Sequence, residues 1–342
     1  MGSTPLPAAL FTTALNAVLA EQGLRARQAR CVARLSCEIH RVHLATALPQ
    51  AGRPALTELS LRIYPASRRD PAPIDAEMSW LADAARRGLH VPAPLARPGG
   101  GWIHRWQPDP ARPARQAVLL AWLPGRLLDR GLRPVHLQRV GELTAQLHLS
   151  AEALRQHGRL PEGEDGDGPD LPRWADPARA HHPWLAAGTT ARLVQAAQGL
   201  QPALAGLPRS AAHFGWIHSD LHLWNLLFHQ GRAGAIDFSD CGLGHHAQDL
   251  AAVLQYLRYP WVGNHDRSAD HPRLRDELLA GYTRWRPLPD AVLRQIELYT
   301  LARMINTVEW MVDQWPTLEH RPWGPGFLAR LPGALEALMA AL

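Results

Sequence analysis

The residues best suited to chemistry fall in one short stretch: His218-Ser219-Asp220-Leu221-His222-Leu223-Trp224-Asn225, followed by Ile236-Asp237-Phe238. Between them, Leu226-Leu227-Phe228 and Ala235-Ile236 flank His229-Gln230-Gly231-Arg232, the pattern of a β-hairpin. Centred on Gly231, such a hairpin places Asn225 opposite Asp237. An amide oxygen beside a carboxylate is a hard-oxygen site suited to Mg²⁺. Asp220 stands five residues before Asn225, on the loop entering the hairpin, and reaches the same place. Two ligands that hold a metal on nucleotide phosphates, with a third carboxylate to receive the attacking hydroxyl, fit phosphoryl transfer.

A rival pattern shares these residues. His218, Asp220 and His222 form an HxDxH sequence that His245-His246 would complete as the metal site of a hydrolase. That reading leaves Asn225 and Asp237 unexplained. His218 fits a structural brace of the loop, and His222 a packing role. Asp165-Gly166-Asp167-Gly168 fails as a calcium loop, because Asp170 stands where the turn needs Gly and Asp176 where it needs Glu.

His218-x-Asp220-x-x-x-x-Asn225 with Ile236-Asp237-Phe238 and Asp249-Leu250 resembles the signature of the aminoglycoside phosphotransferase / choline kinase superfamily, the small-molecule relatives of protein kinases. Leu119 to Gly125 is similar to that family's hinge, and Thr144-Ala145-Gln146-Leu147-His148 to the helix after it. The resemblance implies Asp220 as catalytic base and Asn225 and Asp237 as magnesium ligands. It also implies ATP or GTP as donor, bound between two lobes, and a small hydroxylated acceptor. Leu61-Arg62-Ile63-Tyr64 resembles the lysine strand, with Arg62 at the Lys place and Glu77, fifteen residues on, as its partner at the nucleotide. The loop before that strand departs from the pattern, since no glycine occurs between Gly23 and Gly52. These two departures motivate a second reading, a nucleotide-binding regulator without useful transfer.

The implied architecture is α+β and protein-kinase-like: a small lobe with an antiparallel sheet over 1–121, and a larger, mostly helical lobe over 122–342. Period-two patterns read as strands at 31–45 and 55–64 with a turn from Leu48 to Pro54, and further strands lie at 101–106 and 116–122. Helical patterns cover 8–21, 73–88, 134–157, 189–206, 247–257, 272–285, 289–316 and 326–341. The acid-rich segment 161–173 reads as a solvated loop.

The 342 residues allow two domains or one large one, and an ordinary apolar share of 46% excludes a disordered or fibrous chain. All 36 basic residues are Arg, so Arg62 cannot be singled out as a special replacement for Lys. A net charge of +5, dispersed, argues against nucleic acid, the densest runs being Arg68-Arg69 and Arg86-Arg87. No uncharged apolar run of spanning length and no signal sequence is evident, so no membrane is expected. Cys31, Cys37 and Cys241 offer no disulfide framework, and the expected location is cytoplasmic. Trp310, Trp315 and Trp323, with Tyr256, Tyr259, Trp261, Glu309 and Asp313, are candidates for an acceptor pocket that would suit a cationic amine. Met304 and Met311 read as packing.

Overall fold

The computed structural model describes residues 8–34, 37–50, 52–67, 70–107, 113–128, 131–161, 187–258 and 270–318, with 326, 329, 333 and 336. Arg68-Arg69, most of the acid-rich segment, Tyr259, Trp261, Trp323 and nearly all of the 326–341 helix lie outside the described residues. So do the side chains of Glu309, Met311, Asp313 and Trp315.

The chain divides into two compact units, Met1–Pro124 with His157–Pro161, and Gly125–Gln156 with Glu162–Leu342. The first begins with helix α1 (Ala8–Glu21) and strands β1 (Ala26–Arg34), β2 (Glu38–Gln50) and β3 (Arg53–Ile63). Helix α2 (Ala72–Arg86) and strands β4 (His104–Trp106) and β5 (Arg115–Ala121) follow. The strands form one antiparallel sheet in the order β1-β2-β3-β5-β4. Two strand expectations need correction. The run 31–45 is not one strand but the end of β1 and most of β2, and β2 continues to Gln50 while β3 begins at Arg53, which leaves only 51 and 52 between them. Gly52 sits there at φ +67°, a conformation that glycine adopts without cost.

Strand alternation separates the two faces of β3. Leu59, Leu61 and Ile63 enter a core with Ala14, Leu15, Val18 and Leu19 of α1 and with Val42 and Leu119. Arg62, between them, faces the other way and meets Glu77 of α2. That helix starts behind Pro71, and Gly88 at φ +82° ends it, with Leu89 donating its N–H back to Ala84 O.

The second unit contains α3 (Pro134–Gln156), α4 (Ala187–Ala205), α5 (His246–Arg258), α6 (His271–Thr283) and α7 (Val292–Leu318). Four short strands interrupt them: β6 (Phe214–Ile217) pairs with β9 (Gly242–His245), and β7 (Leu226–His229) with β8 (Arg232–Ala235). The β6/β9 pair was not expected, because four-residue strands containing glycine carry little periodic signal. Helices α3 and α6 cross at glycines. A Cβ on Gly141 would lie 2.0 Å from Leu278 O, and one on Gly281 would lie 2.0 Å from Gln138 O. This backbone contact brings His148 of α3 within 2.9 Å of the Tyr282 hydroxyl.

Candidate active site

The expected hairpin exists, with its register displaced by one residue. Gln230 and Gly231 both have positive φ, +48° and +74°, so the turn is a two-residue type I′ turn that pairs His229 with Arg232. Asn225 therefore pairs with Ile236, whose N–H donates to Asn225 O at 2.9 Å, and not with Asp237. Asp237 comes one residue later, at φ +63°, and accepts the Ser239 hydroxyl on Oδ1 at 3.0 Å.

The loop 218–225 enters from β6 and is held by hydrogen bonds from both sides. The buried Asp249, in the first turn of α5, accepts the N–H of His218 (2.9 Å) and of Ser219 (2.8 Å). It also accepts Nε2–H of His148 at 3.0 Å, while the other nitrogen of that ring accepts from the Tyr282 hydroxyl. These bonds hold Ser219 at φ +68°, a strained conformation for a residue with a side chain. The His218 ring bridges the two halves of the loop region: Nδ1 accepts from Asp220 N–H (3.3 Å), and Nε2–H donates to Ile236 O (3.0 Å). That is the brace expected of it.

The loop brings Asp220 and Asn225 together. Asn225 Nδ2 donates to Asp220 O at 2.9 Å and to Asp220 Oδ2 at 3.1 Å, which leaves the amide oxygen as the atom that can face a cation. His222 accepts the Trp224 N–H on Nδ1 and sets Nε2 3.4 Å from Asp220 Oδ2. Its ring stacks on Tyr256 with centroids 4.8 Å apart. The guanidinium of Arg303, on α7, donates to Ser219 O at 3.1 Å and to Asp220 Oδ1.

The electrostatics follow from these contacts. Burial alone would raise the Asp220 pKa, but Arg303 and His222 outweigh it and hold the carboxyl well below the usual carboxylate range. Asp220 is thus an anion at neutral pH, with 28% of its side chain exposed. Asp249 moves the opposite way, since burial raises its pKa against the N–H bonds it accepts. Burial, helped by Arg286 and His218, lowers His148 to about 3, so its ring is neutral.

Arg62 and Glu77 also pair as the sequence predicts. Arg62 Nη1 donates to Glu77 Oε1 at 2.6 Å, both side chains being almost fully enclosed in the first unit. Sequence reasoning missed Arg303, because nothing local marks an arginine 83 residues downstream as a partner of Asp220. It also missed the reach of His222 to Asp220. The HxDxH metal site is not assembled. Both His218 nitrogens are engaged within the loop, His245 bonds the Tyr299 hydroxyl, and His246 lies against His148 and Ala212 O. Among the described residues, no group of three or more His, Cys, Asp or Glu is placed to hold a metal. Asn225 and Asp237 would instead present one amide and one carboxylate oxygen, a donor set that suits a hard divalent cation.

Known proteins resemble this chain in sequence or in fold. An uncharacterised protein of Deinococcus radiodurans is 31% identical over 72% of this chain and 68% of its own length. The amicoumacin kinase of Bacillus subtilis is 24% identical over 65% of this chain and 64% of its own. The chain thus spans about two thirds of the length of these relatives. In fold it is similar to an amicoumacin kinase solved with AMP-PNP, Ca²⁺ and Ami, with a TM-score of 0.74 and 20% identity over 96% of this chain and 93% of that one. Residues 50–288, from the end of β2 through α6, match the phosphotransferase enzyme family, and the chain belongs to that family of kinase-like phosphotransferases.

Proposed function

We propose that this protein moves the γ-phosphate of ATP or GTP to a hydroxyl of a small molecule, with Mg²⁺. The observation that carries the reading is the pairing of an ionised Asp220 with Asn225 at 3.1 Å, one backbone step from Asp237. Asp220 is the residue that receives the hydrogen bond of the acceptor hydroxyl and takes its proton. Each carboxylate oxygen has two acceptor sites, so the bonds from Arg303 and Asn225 leave room for that hydroxyl.

Asn225 and Asp237 would hold Mg²⁺, which when bound neutralises charge on the phosphates. Arg62, held by Glu77, would contribute a cation to the nucleotide phosphates. In this reading residues 1–121 serve as the nucleotide-binding lobe and 122–342 as the lobe of the transfer site. Cys31, Cys37 and Cys241, none of them in a disulfide, fit a cytoplasmic location.

The test is ADP release from Mg²⁺ and ATP across a panel of hydroxylated small molecules, with Asp220→Asn as control. An acceptor that the wild type uses and the variant does not supports the reading. The regulator reading rests instead on Arg62 at the usual Lys place and on the glycine-free loop before its strand. Tight nucleotide binding with no transfer to any acceptor would favour it.

A further inference from the structure

Helix α7, which reaches Asp220 through Arg303, carries two polar atoms without partners. Arg303 spends Nη1 on Ser219 O and Nη2 on the Asp220 carboxylate, and its Nε–H is enclosed and unpaired. Three residues on, Asn306 Oδ1 is enclosed and unpaired as well. Residues three apart share a helix face, so a donor and an acceptor stand together on the face turned to the 218–225 loop. Thr307 does not serve either atom, because its hydroxyl bonds Arg303 O within the helix at 2.8 Å. Folded proteins seldom leave such atoms unmatched. Here two of opposite type lie three residues apart on the helix whose Arg303 holds the carboxylate that would receive the acceptor hydroxyl.

Resting on the phosphotransferase reading, we propose that Arg303 and Asn306 select the acceptor by a donor–acceptor pair next to its reacting hydroxyl. An oxygen of the acceptor takes Arg303 Nε–H, and an N–H or O–H of the acceptor donates to Asn306 Oδ1. Hydroxy amides and vicinal polyols carry both groups. An alcohol whose only other polar group is a quaternary ammonium carries neither. The charge of Asp220 is already matched by Arg303, so that carboxylate is no spare anion for such a cation. Trp310, seven residues beyond Arg303 and exposed, continues the same face and gives the acceptor an apolar surface to rest on.

The experiment measures ADP release from Mg²⁺ and ATP with serinamide and glycerol against ethanolamine and choline. Wild type, Asn306→Ala and Asn306→Asp are compared, and calorimetry follows Mg²⁺–ATP binding to each. The wild type is expected to favour serinamide and glycerol at least tenfold in kcat/KM over ethanolamine and choline. Asn306→Ala erases that preference through a KM rise of about tenfold, the usual scale for one lost hydrogen bond in a closed site. Asn306→Asp keeps an acceptor oxygen and keeps the preference. Equal use of choline overturns the proposal, as does a preference unchanged in Asn306→Ala. No turnover of any of the four while Mg²⁺–ATP still binds overturns it too. Each of those outcomes leaves the transfer reading standing, whereas failure to bind Mg²⁺–ATP at all removes the reading on which the proposal rests.

Discussion

Removing the Asp249 carboxylate tests how the 218–225 loop is held. Asp249 accepts three N–H groups, from Ser219 at 2.8 Å, His218 at 2.9 Å and His148 at 3.0 Å, and it is fully buried. A hydrogen bond to a charged group contributes about 1.5–3 kcal/mol, and a buried donor left unmatched costs about 1–3 kcal/mol. The three share one carboxylate and do not add. Asp249→Ala is therefore expected to cost about 3–5 kcal/mol, below the sum of three buried donors left unmatched at about 1–3 kcal/mol each. Asp249→Asn keeps the shape and one acceptor oxygen and should cost less, about 1–3 kcal/mol. Against a typical stability of about 5–15 kcal/mol, both variants fold. Urea titration followed by circular dichroism reads the difference. At about 2–3 kcal/mol per M, Asp249→Ala lowers the midpoint by about 1–2.5 M, and Asp249→Asn by less. Ser219 is free to leave φ +68° in both, so transfer activity falls further than stability does. An Asp249→Ala midpoint within about 0.3 M of wild type at that slope would refute the reasoning, since the carboxylate would then not be what secures the loop.

Four further outcomes follow from the same structure. Asp220→Asn should lower transfer by about 10²–10⁴-fold while leaving Mg²⁺–ATP binding in place, as steady-state kinetics and calorimetry would show. Arg303→Met removes the cation that holds the Asp220 carboxyl down, so the acid limb of the pH–kcat profile should move to higher pH. Gly281→Ala drives a Cβ onto the backbone of Gln138, and urea titration should show a loss of about 1–3 kcal/mol or more from overpacking. Acid should weaken the fold below pH 6.5. His148 is held at about 3, His245 and His271 at about 4, and His246 well below its ordinary value, so the unfolded chain takes protons there that the folded chain refuses. Each contributes at most about 1.4 kcal/mol per pH unit, less where water reaches the ring. The raised Asp249 works the other way and offsets one of them. Melting temperatures between pH 7 and 4 check the sign, and a flat profile would contradict it.

Much of the fold and site was legible because the signals are local. The alternation Leu59, Leu61, Ile63 puts Arg62 on the opposite face of β3, where Glu77 awaits it. The five-residue spacing of Asp220 and Asn225 lets one loop bring them together. The hairpin itself was readable, but its register turned on whether Gln230 joins Gly231 in the turn. With φ positive at both, the pairing slips by one and Asp237 leaves the ladder. The break between β1 and β2 was hidden because Leu35-Ser36-Cys37 contains neither Gly nor Pro. Arg303 was invisible for a different reason: its tie to Asp220 is a product of helix packing, and no spacing rule spans 83 residues.

The central claim is that Asn225 and Asp237 hold the metal that brings the nucleotide, while Asp220 acts on the acceptor. Calorimetric titration with ATP, with and without Mg²⁺, tests it directly on wild type, Asp237→Ala and Asp220→Ala. The account predicts Mg²⁺-dependent binding in wild type and Asp220→Ala, lost or weakened at least tenfold in Asp237→Ala. Binding that ignores Mg²⁺, or that Asp237→Ala leaves unchanged, would contradict it.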